Sequence, residues 1–137
     1  MYGICMPNKT CLVVDDESSV RVYIRTILER NQFQVIEAEN GQEAARVVQQ
    51  LGDTVDVIVT DIYMPGGDGL TFASSVRESF PLLPIILVSG YGDPPWKRFP
   101  STSFGFVPKP FLPATLLAAI AKENETMAMR KKAVAPE

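Results

Sequence analysis

Apolar positions along the chain follow two alternating rhythms. Short runs at 10–14, 33–38, 55–60, 84–88 and 104–108 are rich in β-branched and aliphatic residues and bounded by turn formers, which predicts buried strands. Between them the spacing turns helical. Val20, Tyr23, Ile24, Ile27 and Leu28 make one apolar face on a helix that Ser18 or Ser19 is able to cap and Asn31-Gln32 ends. Asn40-Gly41-Gln42-Glu43 reads as a capping box for a second helix running to about Leu51. Asp68 is placed to cap a third, beginning near Gly69, carrying Leu70, Ala73, Val76 and Phe80 and stopped by Pro81. Pro113 opens a last helix through Leu116, Leu117 and Ile120, and beyond about Asn124 the polar and basic residues either continue it or fray. One segment breaks the rhythm. Residues 90–101 hold three prolines and no sustained apolar period, so a turn or irregular loop is expected there in place of a full helix.

Strand and helix alternating at short intervals is the signature of a parallel sheet covered on both faces, a doubly wound α/β fold. A chain of 137 residues holds one such domain. Its expected extent is 9–123, with an N-terminal extension at 1–8 and a tail or helix extension at 124–137. No linker, repeat or second hydrophobic pattern follows, so no output domain is expected. Hydrophobic residues at 46% and charged residues at 21% suit a soluble globular protein, and no apolar run approaches the roughly 20 residues of a membrane span. The start, Met-Tyr-Gly-Ile-Cys-Met-Pro, lacks the basic and long apolar regions of a signal peptide, which points to the cytoplasm and to reduced Cys5 and Cys11. A net charge of −3 argues against direct nucleic-acid binding, and Arg130-Lys131-Lys132 reads as a solvated helix end. The chain has no histidine, which excludes a Ser-His-Asp triad, His-ligated metals and a phosphohistidine carrier.

Chemistry concentrates where the strands end. The third run stops on Asp61 and breaks into Pro65-Gly66-Gly67-Asp68-Gly69, a turn that lacks the spacing of a phosphate-binding loop. In a doubly wound sheet the carboxyl ends of strands one, three, four and five open on one edge, which gathers Asp15, Asp16, Asp61, Ser89 and Lys109. Packed carboxylates repel one another unless a cation joins them. Hard oxygen donors without Cys or His ligands favour Mg²⁺.

This set, spaced as strand-Asp-Asp, strand-Asp-x-x-Met-Pro-x-x-Asp-Gly, strand-Ser and Lys-Pro-Phe, resembles the receiver domain of two-component response regulators over about residues 9–120. The Ser-Gly-Tyr-Gly and Phe-Val-Pro-Lys-Pro-Phe wording is most similar to receivers attached to hybrid histidine kinases, which leaves a free-standing receiver and a piece of a larger protein both open. The resemblance implies a flavodoxin-like, five-stranded parallel sheet of order 2-1-3-4-5, with the fourth helix short, irregular or absent. It implies Asp61 as phosphoacceptor and Mg²⁺ held by Asp15, Asp16, Asp61 and the backbone carbonyl of Tyr63. Ser89 would hydrogen-bond the phosphoryl group and Lys109 would pair with it. Ser89 and Phe106 would form the switch, and Lys109-Pro110 would be a cis peptide. The partners implied are a histidine kinase or histidine phosphotransfer protein and an unidentified downstream protein, with a homodimer open. Two readings compete with this switch: a receiver-like interaction module acting independently of phosphorylation, and a small aspartyl-phosphate hydrolase. The hydrolase is disfavoured because Tyr63 stands where its second Asp would be.

Overall fold

The computed structural model describes residues 9–65, 68–90 and 104–134. Strands β1 (Lys9–Val14), β2 (Phe33–Ala38), β3 (Val57–Asp61), β4 (Ile85–Ser89) and β5 (Gly105–Pro108) form one sheet of order β2-β1-β3-β4-β5. Every pairing is parallel. Helices α1 (Ser18–Glu29), α2 (Gly41–Leu51), α3 (Gly69–Ser79) and α4 (Pro113–Val134) are the α-helices among the described residues. Alternation along the central strands divides the core in two. Leu12, Val14, Ile58, Ile85 and Leu87 face α2 and α3 through Ala44, Val48, Leu70, Ala73 and Val76. Cys11, Val13, Val57, Val59, Ile86 and Val88 face α1 and α4 through Ile24, Leu28, Leu116 and Ile120. The sheet is therefore buried on both sides, as parallel sheets require. Cys11 is a free, fully buried thiol whose pKa burial pushes up, so it serves as a small core residue.

Capping decides where the helices begin. Asn40 Oδ1 accepts the Glu43 N–H at 2.9 Å, while Glu43 Oε1 accepts the Glu39 N–H at 2.6 Å, one residue earlier than a standard capping box would reach. Asp68 Oδ1 accepts the Thr71 N–H at 2.7 Å at the start of α3. At α1 the serine expectation fails: the cap is Glu17, without a side-chain bond, because Asp15 Oδ1 already takes the Glu17 N–H at 2.9 Å and fixes the entry to the helix. Tyr23 also departs from the expected core face. It is 42% exposed, sets its ring at a tilt against Phe111 with centroids 5.6 Å apart and donates its hydroxyl hydrogen to the Phe111 carbonyl at 2.8 Å.

One boundary moves, and one open alternative is decided. The third strand starts at Val57 because Gly52–Thr54 makes a 3₁₀ turn and Asp56 ties down the start of β1, its carboxylate accepting the Thr10 N–H at 2.8 Å. The last helix runs unbroken to Val134, with Glu123 and Met127 buried along it. The reading of a short, irregular or absent helix before β5 falls on 91–103, outside the described residues. No helix among the described residues is long and apolar enough to cross a membrane.

Candidate functional site

Register delivers the site. Val14 pairs with Thr60, Asp61 with Val88 and Ser89 with Pro108, so the ends of the three inner strands and β5 come level. The next peptide continues the pattern, the Lys109 N–H donating to the Ser89 carbonyl at 2.7 Å. Asp15, Asp61 and Ser89 are all buried, and Asp16 is exposed.

One ammonium joins two of the acids. Lys109 Nζ lies 3.0 Å from Asp15 Oδ2 and 3.5 Å from Asp61 Oδ1. Asp61 Oδ1 also accepts the Ile62 N–H at 2.9 Å. Carboxylate oxygens of Asp15, Asp16 and Asp61 come within 4.8 Å of one another, and a cavity of about 340 Å³ beside them is lined by Asp16, Glu17, Asp61, Tyr63, Gly90 and Lys109. This donor set suits a hard divalent cation. It offers three carboxylates converging from two strand ends, all oxygen, with one exposed to admit a hydrated ion.

Electrostatics carry the mark of crowding. Burial pushes the Asp61 carboxyl up to about 6; Lys109 pulls it down, and the charges of Asp15 and Asp16 push it further up. Burial pulls Lys109 down, but its hydrogen bond to Asp15 and the charge of Asp61 outweigh that and hold it above its ordinary value. A positive charge at low pH thus faces a carboxyl that ionises late.

The loop after β3 is drawn back onto the strand. The Gly69 N–H donates to the Ile62 carbonyl at 2.8 Å, and the Thr60 hydroxyl donates to the Asp61 carbonyl at 3.0 Å. A Cβ on Gly69 would run into that same Asp61 carbonyl, so only glycine lets α3 start this close to the phosphoacceptor candidate. Phe106 is half-buried, level with Leu87 and packed on the α2/α3 side of the core. The Lys109-Pro110 peptide is cis.

The pattern of apolar residues did not reveal Arg21 and Glu37. Arg21 Nη1 donates to the Asp15 carbonyl at 2.6 Å and Nε to Glu37 Oε1 at 3.0 Å, and Arg25 joins the same carboxylate. Burial pushes Glu37 up, yet the hydrogen bonds from Arg25 and Arg21 leave its pKa below the ordinary value. A signal was present: Arg21, Ile24 and Leu28 share one helical face, so an arginine stood at a core-facing position.

A family model described as response regulator receiver domain matches residues 11–121. The chain is 39% identical over 106 residues to the sensor kinase CckA of Brucella abortus, covering 76% of this chain but only 11% of the kinase's length. Its fold is similar to a response regulator receiver domain protein from Clostridium thermocellum, with a TM-score of 0.80, 25% identity and coverage of 88% of this chain and 98% of that one. It is also similar to a chain of the CheX-CheY-BeF3-Mg complex from Borrelia burgdorferi, with a TM-score of 0.77, 25% identity and coverage of 83% and 87%.

Proposed function

The chain belongs to the response regulator receiver domain family, and on that premise we propose that it is a phosphoacceptor switch of a two-component system or phosphorelay, charged at Asp61 by a histidine-bearing partner. The observation that carries this reading is the Lys109 ammonium, 3.0 Å from Asp15 and 3.5 Å from a buried Asp61 that lines an open cavity. A strand-end carboxylate beside a fixed cation is what phosphoryl capture needs, since such transfer depends mainly on positioning and charge neutralisation.

In this reading an Asp61 oxygen attacks the phosphorus of a phosphohistidine. The O–P bond forms as the P–N bond breaks, and the imidazole keeps the electron pair. Lys109 pairs with the phosphoryl oxygens, and the Ser89 hydroxyl donates a hydrogen bond to them. Mg²⁺, when bound by Asp15, Asp16, Asp61 and the Tyr63 carbonyl, supplies further positive charge against the same oxygens. Attack by water then returns the Asp61 carboxylate and inorganic phosphate, so the protein signals and does not turn over a metabolite. The new charge draws Ser89 and Lys109 inward, and Phe106, three residues before Lys109, carries the response along β5 to a downstream partner. A histidine kinase or histidine phosphotransfer protein is the donor, in keeping with the kinase relative, and the cytoplasm is the compartment. The Borrelia relative, solved with beryllofluoride and magnesium, supports the same chemistry here.

The test is Mg²⁺-dependent binding of beryllofluoride, a mimic of the aspartyl phosphate, followed by backbone NMR. Saturable shifts spreading from Asp61 to Phe106, absent in a folded Asp61→Asn protein, are expected. Magnesium binding without a beryllofluoride response would replace this reading with the phosphorylation-independent module. Covalent labelling of another residue in Asp61→Asn would overturn the site assignment.

A further inference from the structure

We infer that Arg21 is a positioning residue for the acidic pair, setting the direction in which Asp16 is presented to a divalent cation. The inference rests on the reading of Asp15, Asp16 and Asp61 as the metal-binding acids. Asp15 is held at every polar atom. Its N–H donates to the Ala38 carbonyl at 3.1 Å, Oδ1 accepts the Glu17 N–H at 2.9 Å and Oδ2 accepts from Lys109 at 3.0 Å. The Arg21 guanidinium completes the set, donating to the Asp15 carbonyl at 2.6 Å.

That carbonyl belongs to the Asp15-Asp16 peptide plane, so fixing it fixes the main chain from which the Asp16 side chain departs. Asp16 is the exposed member of the cluster and has the most freedom to lose. Arg21 is itself anchored, 14% exposed at the side chain, by the Glu37 carboxylate on β2. A planar guanidinium spans the carbonyl and the carboxylate with Nη1 and Nε together, which a lysine ammonium cannot do in the same geometry. The bland alternative is that Arg21 only ties α1 to β2, sixteen residues apart in sequence.

Charge separates the two. Arg21 is a cation near the acids, so removing it for electrostatic reasons alone would tighten binding of a divalent cation. Loss of positioning does the opposite. Arg21→Gln, Arg21→Lys and Arg25→Gln should be compared with the unaltered protein, reading Mg²⁺ affinity at pH 7.5 by NMR titration and Tm without Mg²⁺. Arg25→Gln removes an arm of Glu37 that does not touch Asp15. The expected result is Mg²⁺ affinity weakened about tenfold in Arg21→Gln and several-fold in the charge-conserving Arg21→Lys, with Arg25→Gln changed by less than about twofold. Equal or tighter Mg²⁺ binding by both Arg21 variants, even with a lowered Tm, would leave only the structural role and overturn the inference. Should Arg21→Gln not fold, Arg21→Lys decides on its own. If the unaltered protein binds no Mg²⁺, the reading of the acidic site falls, and this inference with it.

Discussion

At the scale of single residues, the site is governed by a carboxyl that is reluctant to ionise. Asp61 has its pKa raised to about 6 by burial, partly offset by Lys109, so in the folded protein it holds a proton more tightly than in the unfolded chain. Its contribution to stability is therefore fully present below the unfolded carboxylate range near 3.8 and is lost as pH rises through about 6. A metal ion held by Asp61, as we propose, would compete with that proton. Mg²⁺ affinity should weaken about tenfold between pH 7 and pH 5, as expected for one ligand that must first deprotonate. An affinity unchanged over that range would overturn this expectation, and a pH dependence that persists in Asp61→Asn would place the proton on another group.

At the scale of elements, the helix starts matter more than the helix bodies. The start of α3 presses against the Asp61 carbonyl, and the atom in the way of any larger residue is main chain, which cannot swing aside. Gly69→Ala should cost about 1–3 kcal/mol in urea unfolding, and it should also move the NMR resonances of Asp61, because relief comes only by shifting one backbone or the other. A stability loss with Asp61 unmoved would mean that α3 yields instead. Here the sequence was informative where the cause is local. Asn40 and Asp68 cap as their residue types suggest, and the strand ends at Val14, Asp61 and Ser89 follow from short apolar runs meeting polar residues. It was uninformative where a distant partner decides. Ser18 and Ser19 have capping chemistry, but Asp15 had already claimed the entry, and Tyr23 has helical periodicity, but Phe111 from 88 positions away draws it outward. Arg21 was missed for the same reason, since one of its acceptors is Glu37 on β2, sixteen residues away, and the other is the carbonyl of Asp15 just past β1.

At the scale of the whole molecule, the βαβ rhythm was enough to predict a parallel sheet covered on both faces, while the order 2-1-3-4-5 that the sheet adopts came from the receiver resemblance. The extent of the folded unit was less legible. Polar residues after Asn124 look alike in a solvated tail and on the outside of a helix, yet α4 continues to Val134 and buries Met127 to 3% exposure. We propose that the domain extends past residue 123 through this packing. Met127→Ala should then lower stability by about 2 kcal/mol or more in the same cooperative transition as the rest of the protein, monitored by circular dichroism and by tyrosine and tryptophan fluorescence. No change in the midpoint would mark the end of α4 as an appendage.

The ammonium of Lys109 among the three acids has one more consequence. Three carboxylates and one ammonium leave a surplus of two negative charges, which one divalent cation cancels. With such an ion bound, the charges of these four side chains would sum to zero. In the switch we propose, a phosphoryl group on Asp61 would then add negative charge where these four side chains and the ion had left none outstanding, so the signal would be read against a zeroed background. A monovalent ion would leave the pocket already negative, and the same phosphoryl group would raise an existing field without creating a new one. In that switch the counter-ion would set the contrast of the message as well as helping it to be written.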